Sequence, residues 1–495
     1  MRIKYFAMTW MSVLVFTLFS FSAFASQPFC EGDFYDDKDV DGVDLGIFAA
    51  GFSQTDCNGE CQGDFDKDGT VDPDDLKIFA AGFGQTGCAT IAYKAYGLNF
   101  SPYMDGQNPN LGSLISQDQI RQRIQIISPY TQWIRSFGST HSLEHTGRIA
   151  HEFSFMAAVG AWLGTDLAVN ALGMQNLIDA ARSGHVDLAI VGSEVLLRGD
   201  LSETHLIDYI NQFKSEVPGV PVTTADVYSV LLDHPNVMST CDVIFVNYYP
   251  YWEGKDVNYA VAYVHALHQE MVAEAGVKEV IVSESGWPSD GNQIGDAVPS
   301  LENACFYNLN FVSWARAENV KYFIFEAFDE TWKANYEGPQ GAHWGIWDKV
   351  GNLKLCMSDI FEGLTVPDNW TCQEIPGGPG VPEIQFVYVP PYGSFDNLRG
   401  QVWHVQPAGC KVAVYIRVGS GWWTKPLWNA PLTSINCDGT WTCDITTGGS
   451  DHQANAIAAY LVLNGYDPPL AGGDSALSPE LIQNSVAYVE VMRSQ

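Results

Sequence analysis

The stretch "EVIVSESGWPSDG" (Glu279–Gly291) runs from an apolar, β-branched segment straight into a carboxylate, Glu284, and then into Gly286, Trp287 and Pro288. A near-continuous apolar run of this length reads as a parallel strand buried on both faces, and the Gly and Pro behind it end the strand. Between Ala92 and Cys372 the pattern recurs in "KAYGLNFSPY", "WIRSFGS", "FMAAVGAWLG", "DLAIVGSEVLL", "PVTTADVYS", "VIFVNYYPYW" and "YFIFEAFDETW". Amphipathic segments such as "VNYAVAYVHALHQEMVAEAGV" lie between the runs. Eight strand–helix units predict an α/β fold, a (β/α)8 TIM barrel over residues 91–372. A doubly wound open sheet is the alternative, but no glycine-rich phosphate fingerprint follows any of the runs.

In a barrel of this kind chemistry sits where strands end at the C-terminal face. The fourth run, "AIVGSEVLLRGD", ends in Glu194, 90 residues before Glu284. At ~30 residues per strand–helix unit the two carboxylates are three units apart and share one mouth. Glycosidic cleavage needs such a pair, one protonated to donate to the leaving oxygen and one ionised to attack or to activate water. Taken singly, either residue also reads as a solvated strand end.

The segments "YGLNFSPY", "VGSEVLLRGD", "VNYYPYW", "SESGWPSDG" and "FEAFDETWK" together resemble glycoside hydrolase family 17, the β-1,3-glucanases, over about Ala95–Cys372. The resemblance implies endo-acting, retaining hydrolysis of laminarin-type glucan, with Glu194 as acid/base and Glu284 as nucleophile. It implies that Tyr249 orients the nucleophile, that Trp287 stacks under a glucosyl ring, and that Glu326, Glu330 and Lys333 line the cleft. Arg135 reads either as a residue that fixes a carboxylate or as a buried structural arginine. Ser193 departs from the pattern, since many relatives carry Asn there to bond the sugar 2-OH. Transglycosylation would use the same two carboxylates, and the intact pair speaks against a non-catalytic glucan-binding surface protein.

Ahead of the barrel, "CEGDFYDDKDVDGVDLGIFAAGFSQTDC" (Cys30–Cys57) recurs as "CQGDFDKDGTVDPDDLKIFAAGFGQTGC" (Cys61–Cys88). In the second copy Asp64, Asp66, Asp68, Gly69, Thr70, Asp72 and Asp75 fall on positions 1, 3, 5, 6, 7, 9 and 12 of an EF-hand-type calcium loop. The first copy keeps Asp33, Asp37, Asp39, Asp41 and Asp44, but Tyr35 stands at position 3 and Lys38 at the Gly position. Residues 26–90 resemble a dockerin module, which implies structural Ca2+ and a cohesin-type partner; an acidic, disulfide-stapled stalk is the plain alternative. One disulfide per copy is expected, 30–57 and 61–88, with swapped pairings open.

Residues 1–25 carry Arg2 and Lys4, an apolar run and Ala23-Phe24-Ala25, a bacterial-type secretory leader that predicts a secreted or cell-surface protein. No later segment is apolar enough to span a membrane. The chain has 495 residues and a formal charge of −33, which disfavours nucleic acid and anionic lipid as partners and fits a neutral substrate or bound cations. Its 11 cysteines read mostly as disulfides in an exported protein. His141, His145 and His151 fall close together, but their spacing is not a usual zinc pattern. After a Pro/Gly linker at 373–383, short alternating runs such as "KVAVYIRV" and "SVAYVEVM" predict a β-sandwich over 384–495. There Trp403, Trp422, Trp423, Trp428 and Trp441 supply either a sugar platform or the sandwich core.

Overall fold

The computed structural model describes residues 32, 34, 39–55, 57, 61, 63–65, 69–85, 92–372 and 374–493. The leader, Cys30, Cys88, Asp33, Asp37, Asp66 and Asp68 lie outside them. Eight parallel strands close a barrel in sequence order: β1 (Ala95–Asn99), β2 (Thr131–Arg135), β3 (Met156–Ala161), β4 (Leu188–Ser193), β5 (Val222–Val227), β6 (Ile244–Asn247), β7 (Val280–Ser285) and β8 (Tyr322–Ile324). All eight runs read from sequence are there. The lumen is filled by Ala158, Leu188, Ile190, Ala225, Phe245, Ile281 and Phe323, a packed core rather than a pore. A larger apolar layer joins the strands to the surrounding helices. Five of those helices start at side-chain caps, Ser116, Asp166, Ser202, Asp256 and Ser300, each accepting from a backbone N–H of the first turn. Cys305–Cys356 ties the helix after β7 to the last loop of the barrel.

The C-terminal part packs two antiparallel sheets. One holds β9 (Glu383–Tyr388), β10 (Leu398–Trp403) and β14 (Thr440–Cys443). The other holds β11 (Cys410–Val418), β12 (Gly421–Lys425), β13 (Leu432–Ser434), β15 (Ala456–Leu463), β16 (Gly472–Asp474) and β17 (Ser485–Met492). Ile384, Leu398, Val402 and Trp441 of the first meet Val412, Val414, Ile416 and Leu461 of the second. This sandwich is joined to the barrel by the disulfide Cys372–Cys437 and by a 2.8 Å hydrogen bond from the Tyr259 hydroxyl to Asp438. Longer ion pairs, Arg399–Asp296 at 3.6 Å and Lys411–Glu270 at 3.7 Å, border the same contact.

The duplicated N-terminal segment forms two matching helices, α1 (Gly42–Gly51) and α2 (Pro73–Gly82). Asp41 and Asp72 cap them, with Asp44 and Asp75 closing the capping boxes. Each copy supplies half of a phenylalanine core, Phe48 and Phe79 lying 5.0 Å apart between ring centroids. Val40 pairs with the chain after α2, and Val71 with the chain after α1. The pairing of cysteines differs from expectation: Cys57 is bonded to Cys61, so the bridge joins the two copies instead of closing each one. The two sulfurs lie only four residues apart in sequence, on the connector that brings the copies together.

The Gly of Gly-Trp-Pro has a steric reason. A Cβ on Gly286 would stand 1.9 Å from the Phe325 carbonyl oxygen, so the exit of β7 packs directly on the exit of β8. Gly286→Ala forces these strand ends apart and is expected to lower stability by about 1–3 kcal/mol, read as a lower urea midpoint with unchanged slope.

Candidate active site

The strand ends bring Glu194 and Glu284 to one mouth. Glu284 closes β7 directly opposite Asn247 of β6, and it is 4% exposed. Its Oε1 takes the Nη1 of Arg135 at 2.5 Å and its Oε2 the hydroxyl of Tyr249. Arg135, at the end of β2, also donates to Asn99 Oδ1 at 2.8 Å and Ser193 Oγ at 3.0 Å. Four strands, β1, β2, β4 and β7, are therefore linked beneath one carboxylate.

Glu194 follows a register irregularity at the end of β4 and sits at φ +53°, in the left-handed region. For a residue with a side chain that conformation costs roughly 1–3 kcal/mol, and such strain persists only where the surroundings fix it. Here they do. The Glu194 N–H donates to the Ala225 carbonyl at 2.7 Å, and Asn247 Nδ2 donates to Glu194 Oε1 at 2.8 Å. Buried Asp226, at the end of β5, accepts from the N–H groups of Leu196 and Leu197 in the turn that follows. Desolvation, then the negative charge of Glu284, push the Glu194 carboxyl up to about 7, against the opposing Asn247 hydrogen bond. A carboxyl raised toward neutrality beside a carboxylate paired with arginine is the kind of arrangement that acid and nucleophile chemistry requires.

Beside the pair lies a buried ionic triad. Lys333 Nζ meets Glu326 at 2.5 Å and Glu330 at 2.9 Å. Burial drives the Glu326 carboxyl well above the usual carboxylate range despite Lys333. For Glu330 burial is outweighed by Lys333 and by donors from Ser101 and Trp332, which hold it below that range.

Several expected contacts to sugar need correction. Trp287 is 1% exposed, gives its indole N–H to the Val298 carbonyl, and is covered by Tyr251 and Tyr307, so no ring face is open for stacking. Arg135 is fully buried and acts under Glu284, where it serves as both the carboxylate-fixing and the structural arginine. Glu326 and Glu330 are 1% and 2% exposed, and Lys333, at 6%, keeps only a margin of surface. Among the residues of the loops after β6 and β8, Tyr249 and Glu337 are half-buried and Trp252 and Tyr336 are exposed. Tyr249 packs edge-on against Phe325 and Trp344, which form the aromatic wall behind it. Asn247, Asp226 and Glu337 were not singled out in the sequence. Asn247 and Asp226 were visible only as the polar last residues of apolar runs. The histidines disperse: His151 pairs with Asp187 at 2.9 Å, while His145 lies 3.9 Å from Glu144.

A closed parallel barrel with a buried, raised carboxyl after β4 and an arginine-paired carboxylate on β7 fits a glycoside hydrolase. Comparison with known proteins narrows this. The model of the BtgE/BtgC glycoside hydrolase domain matches residues 97–345, and the chain belongs to that family. Glucan 1,3-beta-glucosidase BGL2 of Candida albicans is 30% identical over 267 residues, 49% of this chain and 85% of that one. The glucan 1,3-beta-glucosidase of Saccharomyces cerevisiae is 28% identical over 281 residues, 52% of this chain and 90% of that one. A glycoside hydrolase family 17 beta-1,3-glucanosyltransferase from Rhizomucor miehei aligns at TM-score 0.47 and 30% identity, over 52% of this chain and 95% of that one.

The charge of Glu284 is the second cause of the raised Glu194 titration, after burial. Glu284→Gln is therefore expected to move the Glu194 midpoint down while leaving it above an ordinary carboxylate, as followed by carboxyl-carbon NMR. An unchanged midpoint would mean that the two groups do not sense each other.

Proposed function

We propose that the protein is a secreted, retaining glycoside hydrolase that cleaves β-1,3-glucan of the laminarin type. The observation that carries this reading is the carboxylate pair with opposed environments on β4 and β7, in a chain whose relatives are named glucan 1,3-beta-glucosidases.

In the first step Glu284 Oε attacks the anomeric carbon while Glu194 gives its proton to the glycosidic oxygen. The C–O bond breaks, the leaving sugar departs as an alcohol, and a glycosyl ester joins the sugar to Glu284. In the second step Glu194, now a carboxylate, takes a proton from water as its oxygen attacks the same carbon. The ester breaks, and both carboxyls return to their starting states. Tyr249 and Arg135 orient Glu284 throughout, while Asn247 holds Glu194. A sugar hydroxyl that enters in place of water gives transglycosylation on the same groups.

With Glu194 titrating at about 7, the rate should fall on the alkaline side with a midpoint near that value, because only the protonated acid can donate. Glu284→Gln and Glu194→Gln should each abolish release of reducing sugar from laminarin while circular dichroism stays native. Near-full activity in either variant would overturn the assignment. Elongated products from laminari-oligosaccharides would mark transfer, and shorter ones alone would mark hydrolysis.

For the N-terminal module we propose structural calcium on Asp64, Asp66, Asp68, Thr70, Asp72 and Asp75, and a second, weaker site on Asp33, Asp37, Asp39, Asp41 and Asp44. In support, ligand oxygens of Asp39, Asp41 and Asp44 lie within 4.8 Å of one another. A cohesin-type protein is the proposed partner of this module. Export follows from the leader pattern at residues 1–25, and no helix among the described residues is long and apolar enough to cross a membrane. Calorimetry of the full chain should show a transition that rises with added calcium and falls with chelator. A thermogram indifferent to both would remove the metal.

A further inference from the structure

The five C-terminal tryptophans separate into two groups. Trp441 and Trp422 are 1% and 6% exposed and belong to the sandwich cores, and Trp403 is half-buried. Trp423 and Trp428 are 42% and 58% exposed. Trp423 of β12 is the register partner of Gly472 on the edge strand β16, and directly opposed residues look to the same face of a sheet. A Cβ on Gly472 would lie 3.2 Å from the Trp428 ring, and one on Gly473 would lie 3.2 Å from the Trp423 ring. Both indoles therefore rest on the bare backbone of neighbouring glycines in one short edge strand.

The segment that carries Trp428 is fixed from below. Lys425 forms a buried ion pair with Asp451 and donates to Thr447 Oγ1 at 3.0 Å. The Thr447 hydroxyl donates in turn to the Pro426 carbonyl at 2.5 Å. Little side-chain or loop freedom is left to lose on binding.

The sandwich is also fixed to the rim of the barrel mouth. Arg399 reaches Asp296, whose N–H donates to the Gly254 carbonyl. That contact lies on the two loops that leave β6 and β7, the strands that present Tyr249 and Glu284. The Cys372–Cys437 disulfide makes the attachment covalent.

We propose that Trp423 and Trp428 form a stacking platform for successive pyranose faces of a neutral β-1,3-glucan, which holds an insoluble polymer beside the catalytic mouth. The choice of glucan rests on the proposed function. The chemistry of the platform stands on its own: flat apolar rings suit the C–H face of a sugar, and a chain of charge −33 disfavours an anionic polymer. Asp474, whose Oδ2 accepts the Gly472 N–H at 2.9 Å, has acceptor capacity left for a sugar hydroxyl at the edge of the rings.

The test uses the full-length protein and the variants Trp423→Ala, Trp428→Ala, the double variant and Trp423→Phe. Co-sedimentation with curdlan, an insoluble β-1,3-glucan, should weaken about tenfold for each Ala and vanish in the double variant, with Phe retaining most binding. Turnover of soluble laminaripentaose should stay at the wild-type rate, and hydrolysis of curdlan should fall. Wild-type binding of curdlan by the double variant would overturn the platform. So would tryptophan-dependent binding of cellulose or xylan in place of curdlan, or a dimer in sedimentation velocity that the substitutions dissolve. Failure to turn over laminaripentaose with tryptophan-dependent curdlan binding intact would count against the proposed activity and leave the platform standing.

Discussion

Arg135 places a full positive charge inside the top of the barrel, and the arrangement of the site follows from how that charge is met. Its guanidinium is answered by one carboxylate, Glu284, one amide oxygen, Asn99, one hydroxyl, Ser193, and the Ser283 carbonyl. A buried ion pair gains little over an apolar replacement, but losing one partner strands the other and costs about 3–5 kcal/mol. The pair is thus better understood as a locator than as a source of stability. It fixes the Glu284 side chain from below while Tyr249 fixes it from the side, and it requires β1, β2, β4 and β7 to keep their register.

The opposing carboxyl is held by different means. Glu194 has a strained backbone, one amide donor and no direct arginine partner; the charges of Glu284 and, more weakly, Asp226 act against its ionisation. Arg198, whose charge favours ionisation only weakly at Glu194, is engaged by Asp200 and the Ser193 and Leu163 carbonyls. Two residues of the same chemical type, on strands of the same barrel, are thereby placed in different electrostatic surroundings, and burial with the charge of Glu284 raises the Glu194 carboxyl. Deprotonation of Glu194 is harder in the folded chain than in the unfolded one. Its contribution to stability is therefore fully present below the ordinary glutamate range and is lost as the pH rises through about 7. At the pH where the acid does its work the fold bears part of that cost, a common exchange of stability for reactivity.

The barrel was legible because parallel strands buried on both faces leave near-continuous apolar runs, and eight of them punctuate the sequence at regular intervals. The carboxylate pair was legible because each terminates such a run. Ser193 takes on meaning only in three dimensions, where its hydroxyl accepts from the arginine beneath Glu284. Trp287 misled for a physical reason. Gly286 must approach the β8 backbone, and that approach carries the next residue into the core, so the feature that made Gly-Trp-Pro conspicuous is the one that buries its ring. The ionic triad was visible as Glu326, Glu330 and Lys333, but its burial was not, since sequence spacing does not distinguish a cleft wall from the layer behind it. The Cys57–Cys61 bridge was missed because in-register repetition implied one bond per copy, whereas head-to-tail pairing of the copies makes the connector the tighter point.

The sandwich shows how a second domain can bear on a site it does not build. One of its contacts, Arg399–Asp296, falls on the loop that leaves β7; Tyr259 and Glu270 lie on the helix after β6, and Cys372 follows the barrel. Among the described residues the polar contacts across the boundary include one hydrogen bond and two long ion pairs at 3.6 and 3.7 Å, the latter individually worth little in water. A weakly attractive boundary would let the domains part, but a covalent bond at Cys372–Cys437 closes it. A fixed offset between the catalytic mouth and the exposed tryptophans is of no use to a small substrate, which either enters the mouth or does not. It matters for a polymer, where a segment held on one domain raises the local concentration of the next segment at the other.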